Sequence, residues 1–115
     1  MKVIDLENVQ LDHWVAKAEG IEVKYTHAGE YWRVMDEPTE IQWIPHKDWT
    51  QGGPIIEREG IGFYRAPSPD QPDYGDEPWI ASDARDTYTY RGSTPLIAAM
   101  RVYVASKYGE NLPDL

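Results

Sequence analysis

The chain has 115 residues, a length typical of one domain, and 11 Lys and Arg against 20 Asp and Glu give a net charge of -9. This charge repels phosphate backbones and anionic lipid surfaces, so we expect neither direct duplex binding nor a membrane-surface role. The absence of Cys excludes disulfides, thiolate metal sites and cysteine nucleophiles, and no run of apolar residues has the length of a signal peptide or a membrane span, which predicts a cytoplasmic protein.

The first predicted element is an amphipathic helix over residues 9–19. Its apolar side repeats at helical spacing and comprises Leu11, Trp14, Val15 and Ala18. Asn8 is placed to cap the start of this helix, and Gly20 fits the left-handed position beyond its end. The same spacing predicts that Asp12 and His13 lie on the polar side.

Strands follow the first helix. Alternation of apolar and polar residues predicts a strand at 21–25, and a second strand at 31–35 is joined to it by a turn at 26–30, which is typical of a hairpin. Residues 41–44 are compatible with a short strand or a loop. Further strand candidates are residues 61–64, 79–81 and 86–90.

Residues 66–78 hold four prolines and four acidic residues, a composition that sustains neither a helix nor a central strand. We expect an exposed loop. Its carboxylates belong to Asp70, Asp73, Asp76 and Glu77, which could chelate a divalent cation but lack the spacing and the glycine of a calcium loop. A solvated acidic loop is the favoured interpretation.

The clearest element is a last helix at Pro95–Tyr108. Thr94 can cap it with its hydroxyl, Pro95 suits the first helical position, and Gly109 stops it. Its predicted apolar face comprises Leu96, Ile97, Met100, Tyr103 and Val104. Together the elements predict the α+β class, as a small single domain over residues 1–115 whose N-terminal and C-terminal helices pack on a short-stranded, mostly antiparallel sheet.

One candidate binding site lies at residues 49–58. Gly52 and Gly53 would let backbone N–H groups approach a ligand, Trp49 could stack on a planar ring, and Arg58 could pair with an anion, with Gln51 as a further contact. These features favour a small nucleotide pocket. The competing interpretation is a tight turn that leads into a strand, with Trp49 packed on the core and Arg58 in solvent.

A second candidate site is the start of the last helix. Ser93 and Thr94 precede free helical N–H groups, which together with the helix dipole favour an anion. Arg91 stands just before them, and Arg101 lies about two turns further on. Helix capping alone also explains Ser93 and Thr94.

Catalytic and metal sites are not indicated. His13, His27 and His46 lack metal-ligand spacing, and we interpret them as surface residues. We predict no catalytic residue, no metal and no cofactor. An enzyme acting on nucleotides with Asp48 or Glu57 as its base is a third, less favoured hypothesis.

Three segments carry a resemblance to a known family. They are VAKAEG at 15–20, DWTQGGPIIERE at 48–59 and TPLIAAMRVYVAS at 94–106. In order and spacing they resemble the NinX-like family of small phage and prophage proteins. The resemblance implies an accessory protein made inside the bacterial host, hence in the host cytoplasm, and it transfers neither an activity nor a functional residue.

These observations lead to two functional hypotheses. The first is a non-enzymatic counter-defence protein that sequesters a small nucleotide-type ligand between Trp49, the Gly52–Gly53 turn, Arg58 and Arg101. The alternative is an acidic protein that inhibits a host nucleic-acid enzyme by mimicking phosphates. The expected partners are therefore a small nucleotide-type ligand or a host protein, with no direct duplex nucleic acid and no membrane, and the Trp and Tyr content is compatible with a homodimer.

Overall fold

The computed structural model describes residues 1–6, 8–26, 31–34, 41–66 and 76–113. The helices are α1 (Asn8–Glu19), α2 (Trp49–Glu59) and α3 (Pro95–Tyr108), and a 3-10 helix precedes them at Val3–Asp5. The strands are β1 (Val23–Thr26), β2 (Tyr31–Val34), β3 (Ile41–Trp43), β4 (Gly62–Arg65), β5 (Trp79–Ser82) and β6 (Thr89–Gly92). The predicted α+β class is confirmed.

Helix α3 is the centre of the core. The hydroxyl of Thr94 accepts a hydrogen bond from the N–H of Ile97 at 3.2 Å, and Pro95 occupies the first turn, as predicted. Nine of its fourteen residues are buried because α1, α2 and strands β4 to β6 all pack around it. The helix is therefore surrounded on most sides and does not present a single apolar face.

Strands β1, β2 and β3 form an antiparallel sheet in that order, which confirms the predicted hairpin. Residues 27–30 of its turn lie outside the described residues. Two indoles fix this sheet to α1: Trp32 Nε1 donates to the carbonyl of Val9 at 2.9 Å, and Trp43 Nε1 donates to that of Asp12 at 2.9 Å. Helix α1 begins at Asn8, so Asn8 is its first residue and not its cap, whereas Gly20 has the predicted positive φ of 72°.

Strands β4, β5 and β6 form a second antiparallel sheet, so the described strands divide into two sheets and not one. The last strand lies at Thr89–Gly92, later than the predicted 86–90. The reason is a turn in which Asp83 Oδ1 accepts from the N–H of Tyr88 at 2.9 Å and Asp86 has a φ of 55°. At its end, Gly92 touches α3 through its backbone.

A buried hydrogen-bonded pair of Asp12 and His46 joins α1 to the turn before α2. Asp12 is 2% exposed, its Oδ2 lies 2.6 Å from His46 Nδ1, and its Oδ1 accepts from the backbone N–H of His46 at 3.0 Å. Burial raises the pKa of Asp12, while the hydrogen bond from His46 acts in the opposite direction. The predictions of a polar-face Asp12 and a surface His46 are therefore wrong.

Candidate functional site

The segment that was interpreted as a Gly-Gly turn is a helix. Asp48 caps α2 by accepting a hydrogen bond on Oδ1 from the N–H of Thr50 at 2.9 Å, and the helix continues to Gly60, which adopts the left-handed conformation. Gly52, Gly53 and Pro54 all lie inside it. Both sequence interpretations of this segment, a ligand-binding turn and a turn leading into a strand, are wrong on this point.

Gly52 provides close packing between α2, α3 and the segment before α2. A Cβ atom at this position would lie 2.6 Å from Leu96 Cδ2 and 2.7 Å from the carbonyl oxygen of Pro45. Its N–H donates to the carbonyl of Asp48 at 2.9 Å. The backbone donor predicted to face a ligand is therefore used within the helix.

Gln51 also has a structural role. Its Oε1 accepts from the N–H of Ile44 at 2.8 Å, and its Nε2 donates to the carbonyl of Gln42 at 2.7 Å. These two bonds attach the first turn of α2 to the end of β3. Trp49 differs, because 49% of it is exposed and its ring lies 5.9 Å from that of Phe63.

Arg58 lies on the other side of α2 from Trp49. Nine residues of helix correspond to two and a half turns, which places the two side chains on opposite faces. The guanidinium of Arg58 donates to both oxygens of Glu19, at 2.7 and 3.1 Å, and to Glu59 at 3.0 Å. Trp49, Gly52 and Arg58 therefore do not surround a shared hollow.

We expect the replacement Arg58→Gln to lower the free energy of unfolding at pH 7 by about 1 kcal/mol, because half of the Arg58 side chain is exposed and water screens its pairs. Hydrogen bonds from Arg58 lower the pKa of Glu19 and Glu59 below their ordinary values. A lowered carboxyl pKa stabilises the folded state above pH about 4.5, and this contribution disappears as the pH falls through the folded pKa.

The difference between wild type and Arg58→Gln should therefore shrink below pH 4.5, as measured by urea unfolding between pH 7 and pH 3. Arg85→Gln, which changes an exposed arginine of the β5–β6 turn, is the matched control and should differ little from wild type. A difference that stays constant down to pH 3 would contradict the role of Arg58 in lowering these pKa values.

The residues of the second predicted site, at the start of α3, also do not form one site. Thr94 is occupied as the cap of α3, and Ser93 is exposed beside it. Arg101 extends elsewhere: it donates to Glu77, to the carbonyl of Arg91 at 2.7 Å and to that of Leu6 at 3.5 Å. Its buried Nε has no partner among the described residues.

Arg101 instead borders a groove on the outer face of the second sheet. The groove has a volume of about 610 Å³. We call it the outer-face groove. The residues that line it are Ile4, Tyr64, Glu77, Ile80, Thr89, Tyr90 and Arg91. Arg101 contacts two of these residues, Glu77 and Arg91.

The register of the sheet explains the grouping of Tyr64, Ile80, Thr89 and Arg91, whereas Tyr90 pairs with the buried Ala81 on the other face. Tyr64 pairs with Ile80, which pairs with Arg91, and residues directly opposite one another on antiparallel strands point to the same face. The Thr89 hydroxyl lies two pairs further along and on the same face, 2.9 Å from that of Ser82. A ring, a hydroxyl and a guanidinium thus line one surface of an otherwise acidic chain.

A comparison with models of protein families gives a match over residues 2–107 to the family described as Bacteriophage P22, NinX. The chain belongs to this phage NinX family. The resemblance seen in the sequence is thereby confirmed over nearly the whole chain. Among curated proteins, no sequence matches it.

Metal ligation gains no support in the described part of this NinX-family chain. No group of three or more His, Asp or Glu side chains there could hold an ion. His27 and residues 70–75 of the predicted acidic loop lie outside the described residues, and Glu77 at the end of that loop pairs with Arg101. Within the described residues, no helix is long and apolar enough to cross a membrane.

Sequence reasoning missed most of the outer-face groove. Of its residues it noted Glu77, as part of the acidic loop, and Arg91, which it assigned with the neighbouring Arg101 to the start of α3. Strand alternation could have separated Tyr64 from Phe63 and Ile80 from Ala81, yet only the register between strands places Tyr64 and Ile80 on one face. That register depends on residues far apart in the sequence.

Proposed function

We propose that this NinX-family protein acts in the host cytoplasm as a non-enzymatic counter-defence protein that sequesters a small nucleotide-type ligand in the outer-face groove. The observation that carries the proposal is the grouping of Tyr64, Thr89 and Arg91 around a volume of about 610 Å³, next to Arg101. Small-molecule sites typically occupy about 300–1,000 Å³, so the groove has a suitable size.

The chemistry of the groove suits a planar ring attached to an anion. Tyr64 is 56% exposed and offers a face for stacking, while Ile80 provides an apolar floor. Arg91, which already interacts within the chain, carries a planar guanidinium, the group best matched to phosphate oxygens, and would exchange that interaction for a bound anion. Long-range repulsion from the net charge of -9 slows the approach of an anion but does not prevent a local basic contact.

A binding role fits the carboxylates better than catalysis does. Glu77, which lines the groove, is held in an ion pair with Arg101. Asp48, one of the bases in the enzyme hypothesis, accepts hydrogen bonds from the N–H and the hydroxyl of Thr50 as the cap of α2. Neither arrangement presents an unpaired base to a substrate.

The test is isothermal titration calorimetry against nucleoside mono-, di- and triphosphates and cyclic dinucleotides. We expect at least one of them to bind, and Arg91→Gln to weaken its binding about tenfold or more, because a hydrogen bond to a charged group is lost. Arg85→Gln controls for the loss of one positive charge outside the groove. Trp49→Ala controls for the abandoned pocket on α2.

Heat release should be unchanged in both controls. The proposal is wrong if a well-folded wild-type protein releases no heat with any of these compounds. It is also wrong if Trp49→Ala abolishes binding while Arg91→Gln leaves it intact.

No observation on the described residues specifically favours the alternative, an acidic protein that mimics nucleic acid. It was motivated by the net charge and by four acidic residues, of which Asp70 and Asp73 lie outside the described residues, Asp76 is exposed and Glu77 is paired with Arg101. It stays a prediction from the sequence. Its test is capture of a host nucleic-acid enzyme at low and high salt, since a complex of this kind should weaken steeply with ionic strength.

A further inference from the structure

Strand β4 forms one edge of the second sheet, and all four of its residues are exposed. No described strand pairs with its outer edge. Phe63 and Tyr64 are 39% and 56% exposed, although edge strands in soluble proteins are usually protected by proline, lysine or an inward charge. Within Gly62–Arg65 there is no proline and no acid.

One contact shows which backbone groups of β4 point toward β5 and which point away from it. The N–H of Ala66 donates to the carbonyl of Pro78 at 2.8 Å, which continues the pairing of β4 with β5. Backbone groups of alternate residues point to opposite sides of a strand, so those of Tyr64 also point to β5. The N–H and C=O groups of Phe63 and Arg65 consequently point outward.

We infer that β4 pairs with β4 of a second copy of this chain, antiparallel and with Tyr64 on the two-fold axis. In this register Phe63 of one copy lies opposite Arg65 of the other, and the outward groups of both residues form four backbone hydrogen bonds. Each Arg65 guanidinium then lies beside a Phe63 ring, a favourable cation–π arrangement. Arg65 already makes such a contact with Trp79 in its own chain, at 5.9 Å.

Charge favours a second copy at this edge. Each chain carries a net charge of -9, which opposes self-association over most of its surface. The segment from Gly62 to Ala66 is different, because its one charged residue is Arg65, so two copies meet there without opposing carboxylates. A register centred on Phe63 is less favourable, because it would oppose Arg65 to Ile61, whose N–H already donates to Ile56.

The pairing would join two three-stranded sheets into one sheet of six strands. A two-fold axis perpendicular to the sheet keeps the outer faces on the same side, so both outer-face grooves would lie on one surface of the dimer. The dimer depends on the outward backbone groups of Phe63 and Arg65 and not on Arg91, and Tyr64 is the residue that it shares with the outer-face groove.

A disulfide at position 64 provides a direct test. In the proposed dimer the two Tyr64 residues form an antiparallel pair without mutual backbone hydrogen bonds. The Cα atoms of such a pair lie about 4.5 Å apart, a distance that a disulfide can span. The chain contains no Cys, so Tyr64→Cys introduces a single thiol. Under mild oxidation at micromolar concentration we expect a covalent dimer on non-reducing gels, formed at least about tenfold faster than with Lys47→Cys, an exposed control.

A second test introduces opposite charges at position 64 and measures dimerisation of the full chain by analytical ultracentrifugation. Wild type should sediment as a dimer, whereas Tyr64→Glu and Tyr64→Lys should each weaken dimerisation about tenfold or more, because like charges oppose each other on the axis. An equimolar mixture of the two variants should restore a dimer.

The inference is wrong if the wild-type protein is still a monomer at about 100 µM. The same holds for a dimer in which Tyr64→Cys cross-links no faster than Lys47→Cys, or one that both charged variants leave intact. Calorimetry on the groove is read per chain and can succeed or fail independently of these outcomes.

Discussion

Replacing Gly92 with alanine is expected to lower the free energy of unfolding by about 3 kcal/mol, the upper part of the range for overpacked cores. A Cβ atom at Gly92 would lie 2.6 Å from the backbone nitrogen of Ala98 and 3.1 Å from its Cα. These are helix backbone atoms in the centre of the core, so they cannot move aside as a flexible side chain would. Either α3 or β6 must shift.

Gly62→Ala is the matched control for this effect. Gly62 lies in the same sheet, and a Cβ atom there would meet nothing within 4 Å. We expect its stability to change by less than about 1 kcal/mol, in either direction. Urea unfolding followed by tryptophan fluorescence measures both variants, and equal losses in the two would contradict the close contact between β6 and α3.

Removal of the Asp12 carboxylate should be as costly. Asp12→Ala leaves the ring and the backbone N–H of His46 without their buried partner, and each buried polar group left unsatisfied costs about 1–3 kcal/mol. The loss should appear as a lower urea midpoint with an unchanged slope. A loss of this size would show that the pair fixes how α1 packs against the turn before α2.

Two further variants separate this mechanism from a general effect of the substitution. Asp12→Asn keeps the shape and an acceptor oxygen, so it should lose clearly less stability than Asp12→Ala. Asp5→Ala, at an exposed aspartate of the 3-10 helix, should change stability by about 0.5 kcal/mol or less. If Asp12→Ala is as mild as Asp5→Ala, the pair contributes nothing specific.

The sequence predicted best those elements whose signals are local. The bounds Pro95–Tyr108 of α3 agree with the prediction because the cap at Thr94, the proline after it and Gly109 are all within one segment. The β1–β2 hairpin was likewise found from alternation over adjacent residues. Each of these signals acts over a few positions and does not depend on distant packing.

Helix α2 was missed because tertiary packing overrides its propensities. Gly52, Gly53 and Pro54 all disfavour a helix interior. The contacts of Gly52 with Pro45 and Leu96 require a residue without a side chain at that crossing, and Asp48 supplies a good cap. The glycine thus marks close approach between elements, which looks the same in a sequence as a turn.

The functional residues were hard to predict for a related reason. Arg58 and Arg101 were selected from the sequence as free cations, but Glu19 and Glu77, which lie 39 and 24 positions away, hold them in ion pairs. His46 was taken as a surface residue, although Asp12 contacts it from 34 positions away. Charge complementarity between distant segments cannot be read from spacing along the chain.

The most direct test of the central claim is an amide chemical-shift titration of the isotope-labelled full chain with ATP, GTP and cyclic di-GMP. We expect one of them to shift the amides of Ile80, Thr89 and Arg91 in the outer-face groove, with little change at Trp49 and Gly53. Shifts confined to the start of α2, or none anywhere in a folded protein, would contradict ligand sequestration in this groove.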